Sequence, residues 1–467
     1  MKSNADSGAS SPAIDWGDVT ARLGEFPDRP LAILSAPGSR GDVNPMVAIG
    51  RQLRARGYDC VISLAEPYAD QARQAGLVAV SLISREAFDA LLGVPDVWKP
   101  LAGLRAILQG AASDFLGPHF DLIRRLKRPG RTVLVSHPLD FASRIHRDLD
   151  PTTPLVDVFL SPAMVRSVTD PPLLSPWWFE PRRPPWLIRS AYWIGDYCLL
   201  DRYVAGSVNR LRASVGLAPV RRVMDRWWLS PDAILSLYPE WFGPTPPVGG
   251  GRWTACGFPL DVNPLFAKDS FATDFLGGES AGVDSPGKGL PGFRSPGQKI
   301  GRSDESPIFF TPGTAHRHAR QFFDMAIAVC RTLNRPAILA TSQPEQIPTD
   351  LPPSVRAVGY VPLDRVLPMC GGIVHHGGIG TTAQSIAAAC PQVILPMAFD
   401  QFHNGKRIAD LGLGHSLPRP SEGRLWRALA DVLASGDVHA ACRRWSDLTT
   451  GPDGAEVAAD RIAAMSN

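Results

Sequence analysis

The segment from Gly372 to Asn404, GIVHHGGIGTTAQSIAAACPQVILPMAFDQFHN, constrains the fold more than any other part of the chain. It opens on a short apolar run, passes a His-Gly-Gly turn, and takes helical spacing from Thr381 and Thr382. It then returns to an apolar run and ends in a polar tip with Asp400, Gln401 and Asn404. Strand, turn, helix and strand in that order are the unit of a parallel α/β sheet. Glycines in the turn let the backbone come close to a ligand. A helix N-terminus there supplies unpaired amide donors and a partial positive charge, which suit a phosphate. The tip after the next strand falls at the same sheet edge and offers a carboxylate and an amide, groups that hold sugar hydroxyls. A diphosphate seat beside such a tip suggests a nucleotide-sugar site.

The same alternation runs along the rest of the chain. LAILSA (Leu31–Ala36), YDCVISLA (Tyr58–Ala65), TVLVSH (Thr132–His137) and LVDVFLS (Leu155–Ser161) read as buried strands, with helical spacing in between, as from Met46 to Arg56. A second series starts at PIFFTPG (Pro307–Gly313). It continues through a helix over about 320–333, AILAT (Ala337–Thr341), VRAVGYVP, GGIVHH and QVILP, and a last helical region runs from Leu425 to Ala464. At 467 residues the chain exceeds one core, since domains run to ~200 residues. The expected fold is therefore α/β, with two doubly wound Rossmann-like domains facing each other across a cleft and ligands at the carboxyl ends of the strands.

Expected boundaries are a disordered tail over 1–28, an N-terminal domain over 29–266, a linker or insertion over 267–306, a C-terminal domain over 307–440 and a helical segment over 441–467. The stretch Gly277–Ser306 has almost no aliphatic residues, which marks it as flexible. Between Pro171 and Trp253 tryptophans and prolines crowd together, and Ile188–Leu217 has the spacing of two amphipathic helices.

Composition excludes several function classes. Forty-eight basic against 45 acidic residues give a net charge of +3, no electrostatic footprint for nucleic acid. Seven scattered cysteines without a CxxC pair read as free thiols in a reducing compartment, not as metal ligands. No run approaches the ~18 apolar residues of a membrane span, and the N-terminal stretch lacks the apolar segment of a secretory signal. A cytoplasmic location is expected, with peripheral contact at the inner membrane left open by SPWWFEPRRPPWLIR, where Arg182, Arg183 and Arg189 stand beside aromatics.

Further residues are candidates for chemistry. TPGTAHRH (Thr311–His318) is a second glycine-containing loop after a strand, able to aim amides or hydroxyls at phosphate. Asp42 lies in the loop GSRGDVNP (Gly38–Pro45) just after the first strand, with Ser39 and Arg40 beside it. It reads as a helix cap near Val43 or as a base facing the cleft. His137 directly follows its strand and reads as a structural histidine or a cleft residue. Trp177 and Trp178 are candidates for an apolar acceptor site or a membrane surface, whereas Trp227 and Trp228 read mainly as core. Asp148 and Asp150 form a DxD in a polar, proline-bounded loop, better read as solvated. His316 and His318 lack the company a metal needs.

The segment Val358–Asn404 resembles the nucleotide-sugar signature of the family 1 glycosyltransferases of GT-B fold. GSRGDVNP is similar to the corresponding loop of the sterol and antibiotic branches. Val220–Pro244 together with CGFPLD (Cys256–Asp261) resembles the bacterial rhamnosyltransferases that make rhamnolipid. The likeness covers about residues 30–265 and 307–440.

It implies an inverting, metal-independent hexosyltransferase that uses a nucleotide diphosphate sugar, of UDP-glucose or dTDP-rhamnose type, as co-substrate with no other cofactor. The partner substrate would be a hydrophobic hydroxyl acceptor: a lipid, a sterol-like molecule or a secondary metabolite. Carried over by position, His376 sits at the diphosphate with the amides around Gly378, Gly380 and Thr381 and the hydroxyl of Thr381 or Thr382. Asp400 and Gln401 hold the sugar hydroxyls, and Thr311, Gly313 and Thr314 line the phosphate from the other side. Tyr360 and Val361 take the nucleobase place, where many plant members have Trp. Asp42 is the base; Ser39, His137, Trp177 and Trp178, read from the residues themselves, are the candidates for the acceptor side. Two alternatives of the same architecture are a nucleotide-sugar epimerase and a non-catalytic nucleotide-sugar-binding paralogue.

Overall fold

Both halves of the chain build the centre of a sheet from the same kind of strand, short and largely apolar, which a strand needs when helices cover both its faces. A computed structural model describes residues 14–23, 28–175, 184–225, 227–243, 252–261 and 306–465. The first sheet holds β1 (Leu31–Ala36), β2 (Asp59–Ala65), β3 (Val78–Ile83), β4 (Thr132–Ser136), β5 (Leu155–Phe159), β6 (Ala233–Ser236) and β7 (Trp253–Ala255). All its pairs are parallel, in the order β3-β2-β1-β4-β5-β6-β7. The second holds β8 (Ile308–Thr311), β9 (Ala337–Ala340), β10 (Val355–Val358), β11 (Gly372–His375), β12 (Gln392–Ile394) and β13 (Gly414–Ser416). It too is parallel, in the order β10-β9-β8-β11-β12-β13.

The strand order reverses between β1 and β4 in one sheet and between β8 and β11 in the other. A crevice opens at such switch points, because the loops on either side leave in opposite directions. Asp42 and His137 follow β1 and β4, while Thr311–Thr314 and His376 follow β8 and β11. The two switch points face one another.

Several expectations need correction. The 1–28 stretch contains a helix, Trp16–Leu23, that buries Val19 against the first sheet and places Trp16 under Arg125, 4.2 Å from the ring centroid. The helix expected from Met46 begins at Arg40, because Ser39 is its N-cap. The two helices expected over 188–217 are Pro185–Gly195 and Asp201–Ser214, joined through a π turn over Asp196–Leu200. The last helix, Gly454–Ala463, packs in the N-terminal core. Its Ala455, Ala458, Ala459 and Ile462 stripe joins Val43, Val47 and Leu53 of helix Arg40–Ala55. It can come so close because Gly454 has no side chain: a Cβ there would lie 2.2 Å from the Gly257 carbonyl oxygen. The 277–306 insertion lies almost wholly outside the described residues.

The domains are held by polar contacts beside the cleft. Arg407 donates to the carbonyls of Phe242 at 2.6 Å and Trp241 at 2.9 Å, and Gln384 Nε2 to that of Leu260 at 2.7 Å. Asn404 is buried between the halves: its Oδ1 accepts from Ser161 Oγ at 3.1 Å, and its Nδ2 donates to the Gly377 carbonyl at 2.9 Å and to Asp400 Oδ2 at 2.8 Å.

Candidate active site

Asp42 is the third residue of helix Arg40–Ala55, so its carboxylate can turn back over the N-cap. Oδ2 accepts the Ser39 amide at 2.7 Å. Gly38 makes room for this, since a Cβ on it would fall 2.1 Å from Oδ2. Oδ1 stays out of the cap and lies 3.3 Å from Nε2 of His137. His137 is buried, and its Nδ1 accepts the Leu139 amide at 3.2 Å. That assignment puts the proton of a neutral ring on Nε2, toward Asp42. The cap and cleft readings of Asp42 are thus compatible: one oxygen serves each. The pairing with His137 brings together residues that sequence spacing leaves 95 positions apart.

Across the cleft, helix Ile379–Ala387 starts after Gly378, leaving the amides of Ile379, Gly380 and Thr381 without helical partners. The His376 ring sits between two glycines. A Cβ on Gly313 would lie 2.6 Å from its Cε1 and one on Gly378 2.4 Å from its Nε2. Burial and the neighbouring His375 and His316 push the His376 pKa down to about 3, so the ring is neutral at pH 7. Its Nδ1 has no hydrogen-bond partner among the described residues. His375 behind it is structural: Nδ1 accepts the Gly377 amide at 3.1 Å, and Nε2 meets Gln392 Oε1 at 2.9 Å.

One cavity of about 1710 Å³ joins these groups. Asp42, Ser39 and His137 line it from one domain. Thr311, Gly313, Thr314, Tyr360, Val361, His376, Gly378, Gly380, Thr381, Asp400 and Gln401 line it from the other. Thr382 is the exception. It is fully buried, with its hydroxyl donating to the Gly378 carbonyl at 3.0 Å, so only Thr381 presents a hydroxyl to the cavity. Gln401 lines the wall, but its Oε1 already accepts the amides of Met397 at 2.9 Å and Ala398 at 3.1 Å, leaving only its NH₂ to donate outward. Asp400 is half-buried, and burial pushes its carboxyl up to about 6; Asn404 opposes the rise and the Asp42 charge adds to it. Arg40 reaches across the cleft, its guanidinium 5.0 Å from the Tyr360 centroid and 5.8 Å from that of Tyr68. Trp177 and Trp178 lie outside the described residues.

Away from Asp42 and the C-terminal loops the cavity wall is mostly apolar, with Phe88, Leu91, Ile107, Phe115, Leu187 and Met224 among its residues and Asp114 and Arg166 as charged exceptions. The other sequence candidates are structural. Asp148 accepts from Trp227 Nε1 and pairs with Arg212, and Asp150 pairs with Lys127; neither lines the cavity. Trp228 is core, with its indole on the Pro138 carbonyl at 2.5 Å. None of the seven cysteines is in a disulfide, and no metal-ligand cluster forms among the described residues. Ser63, His119 and Asp140 form a Ser–His–Asp chain, 2.9 Å and 3.1 Å between links, but all three are fully buried and no substrate can reach them.

Several known proteins are similar to this chain. Residues 333–465 match the model of the erythromycin biosynthesis protein CIII-like C-terminal domain. The glycosyltransferase GtfE of Amycolatopsis orientalis is 27% identical over 444 residues, 92% of this chain and 97% of that protein. The dTDP-epi-vancosaminyltransferase of the same organism is 26% identical over 425 residues, covering 86% and 89%. Among solved structures, the spinosyn rhamnosyltransferase SpnG in complex with thymidine diphosphate superimposes with a TM-score of 0.61 at 18% identity, over 94% of this chain and 100% of that one. The two facing sheets and the strand–glycine–helix turn are those of the GT-B fold, and over most of its length the chain is similar in sequence to glycosyltransferases, GtfE and the vancosaminyltransferase among them.

Proposed function

We propose that this enzyme moves a hexose from a nucleotide diphosphate sugar to a hydroxyl of a hydrophobic acceptor, inverting the anomeric carbon without a metal ion. One observation carries the reading: a carboxylate and a phosphate-sized seat of free amides face each other across one cavity whose remaining wall is mostly apolar. Asp42 Oδ1 takes the proton of the acceptor hydroxyl as its oxygen bonds to the anomeric carbon. The bond from that carbon to the diphosphate breaks, and the electron pair leaves on the phosphate oxygen. The amides of Ile379, Gly380 and Thr381 receive this charge, supported by the helix dipole. His376, neutral at pH 7, acts there as a hydrogen-bond donor and not as a cation. Asp400 accepts from sugar hydroxyls, and the Gln401 NH₂ donates to them.

The cavity volume exceeds the ~300–1,000 Å³ of most ligand sites, which leaves room for a large acceptor beside a nucleotide sugar. The thymidine diphosphate named with SpnG and the dTDP sugar named for the vancosaminyltransferase favour a dTDP-linked hexose over UDP-glucose. Asp42→Asn tests the base. We expect kcat to fall about 10²–10⁴-fold, while dTDP raises the melting temperature as in the wild type. A near-normal kcat would assign the proton to another group.

A further inference from the structure

We propose that the outer face of the helix walling the acceptor cavity docks on an anionic phospholipid bilayer. Helix Pro185–Gly195 and the π turn that continues it are apolar on both sides. Leu187, Ile188, Leu199 and Leu200 line the cavity. On the other side Trp186, Trp193, Ile194 and Tyr197 stand 64%, 52%, 54% and 40% exposed, half of the large hydrophobic side chains exposed among the described residues. Trp186, Trp193 and Tyr197 recur at spacings of seven and four, which puts them on one stripe of the helix. Apart from the exposed Arg189 and Ser190 this outer stripe is aromatic and aliphatic, and within the described chain only the cavity side of the helix has an apolar neighbour.

Charge and size select the neighbour. Asp196, the single carboxylate of the 184–200 stretch, is fully buried, bound by Arg166 at 2.5 and 2.9 Å and by Arg222 at 3.3 Å. Arg189 is exposed; just beyond the stretch, half-buried Asp201 accepts the amides of Arg222 and Val223, and Arg202 is exposed. The outward charge of this segment is therefore cationic, which complements the negative surface of an anionic leaflet. Tryptophan and tyrosine suit the headgroup level, where one edge of the ring is apolar and the other wet. A second protein copy fits less well. Four half-exposed side chains offer on the order of 400 Å², against about 800 Å² per partner for a stable pair. Docked in this way, one helix about 10 Å across separates the bilayer from the acceptor cavity, which suits an acceptor that partitions into lipid. That last role rests on the reading of the cavity as the acceptor site, but docking is measured without turnover, so either can fail alone.

The test is vesicle co-sedimentation of the full-length protein, at physiological salt, with phosphatidylglycerol–phosphatidylcholine and with pure phosphatidylcholine vesicles. Binding to the mixed vesicles, weaker on the neutral ones, is expected, with the intrinsic tryptophan emission moving to the blue. Trp186→Ser with Trp193→Ser should cut the partition coefficient at least tenfold, and Arg189→Glu should cut binding to anionic vesicles alone, both with dTDP binding retained. A wild-type protein that stays in the supernatant overturns the proposal, whatever the variants do. So does a concentration-dependent dimer in sedimentation velocity that the double variant abolishes, which would make a second copy the occupant.

Discussion

Asp400→Asn should stabilise the unliganded enzyme while weakening its grip on the donor sugar. Burial and the facing Asp42 hold the Asp400 carboxyl at about 6, against 3.8 for a free aspartate. In the folded state the charged form is therefore disfavoured. The sign follows from proton linkage: between pH 3.8 and 6 the folded protein binds more protons than the unfolded chain, so wild-type stability falls as pH rises through that window. Above it the penalty is complete, and at about 1.36 kcal/mol per pKa unit it amounts to at most ~3 kcal/mol for a half-buried group. Asparagine keeps an oxygen for the Asn404 bond and carries no charge. Differential scanning calorimetry of both proteins from pH 8 to pH 4 is the assay. The variant should melt several degrees higher at pH 8, with the gap closing below pH 5, while isothermal titration shows weaker binding of the nucleotide sugar but not of dTDP alone. A gap independent of pH, or a variant that melts lower at pH 8, would refute the account of a strained carboxylate.

Two further outcomes follow from the cleft. Gly378→Ala keeps an ordinary backbone, φ −62° and ψ 141°, yet drives a methyl into a His376 ring already closed in by Gly313; dTDP affinity should drop at least about tenfold, or ~1.4 kcal/mol, and unchanged binding by titration would remove His376 from the diphosphate seat. Arg40→Ala loses the cation–π contact that crosses to Tyr360, worth about 0.5–1 kcal/mol at a partly exposed site; a two- to fivefold rise in the donor Kd is expected, and an unaltered Kd would mean that the contact does not help hold the nucleotide.

The interior strands were legible because burial on both faces writes them as unbroken apolar runs, LAILSA and QVILP among them. The edges were not. β3 alternates buried and half-buried residues and lies next to helical spacing that masks it. β6, β7 and β13 run for only three or four residues, bounded by prolines and glycines. At the site, the glycine-flanked His376 and the loop carrying Asp42 were readable as candidates, since small residues beside a polar one at a strand end let the backbone approach a ligand, although a tight turn and a helix cap account for the same local pattern. Phase was not: Thr381 and Thr382 are neighbours, and a helix turns ~100° between them, so only one faces the ligand. The approach of His137 to Asp42 depends on β1 and β4 being adjacent, which local pattern does not encode. The stripe of Ala455, Ala458, Ala459 and Ile462 was plainly amphipathic, but nothing in it names the core it joins.

That final helix has a practical consequence for engineering hybrid enzymes. Because Gly454–Ala463 belongs physically to the half that bears Asp42, a swap of donor specificity between relatives has two natural splice points, one in the 262–305 stretch and one just before Asp453. Hybrids that transplant everything downstream of the first junction would pair a borrowed tail with a foreign groove along helix Arg40–Ala55. Those that return to the parental sequence at Asp453 keep the support beneath the base intact.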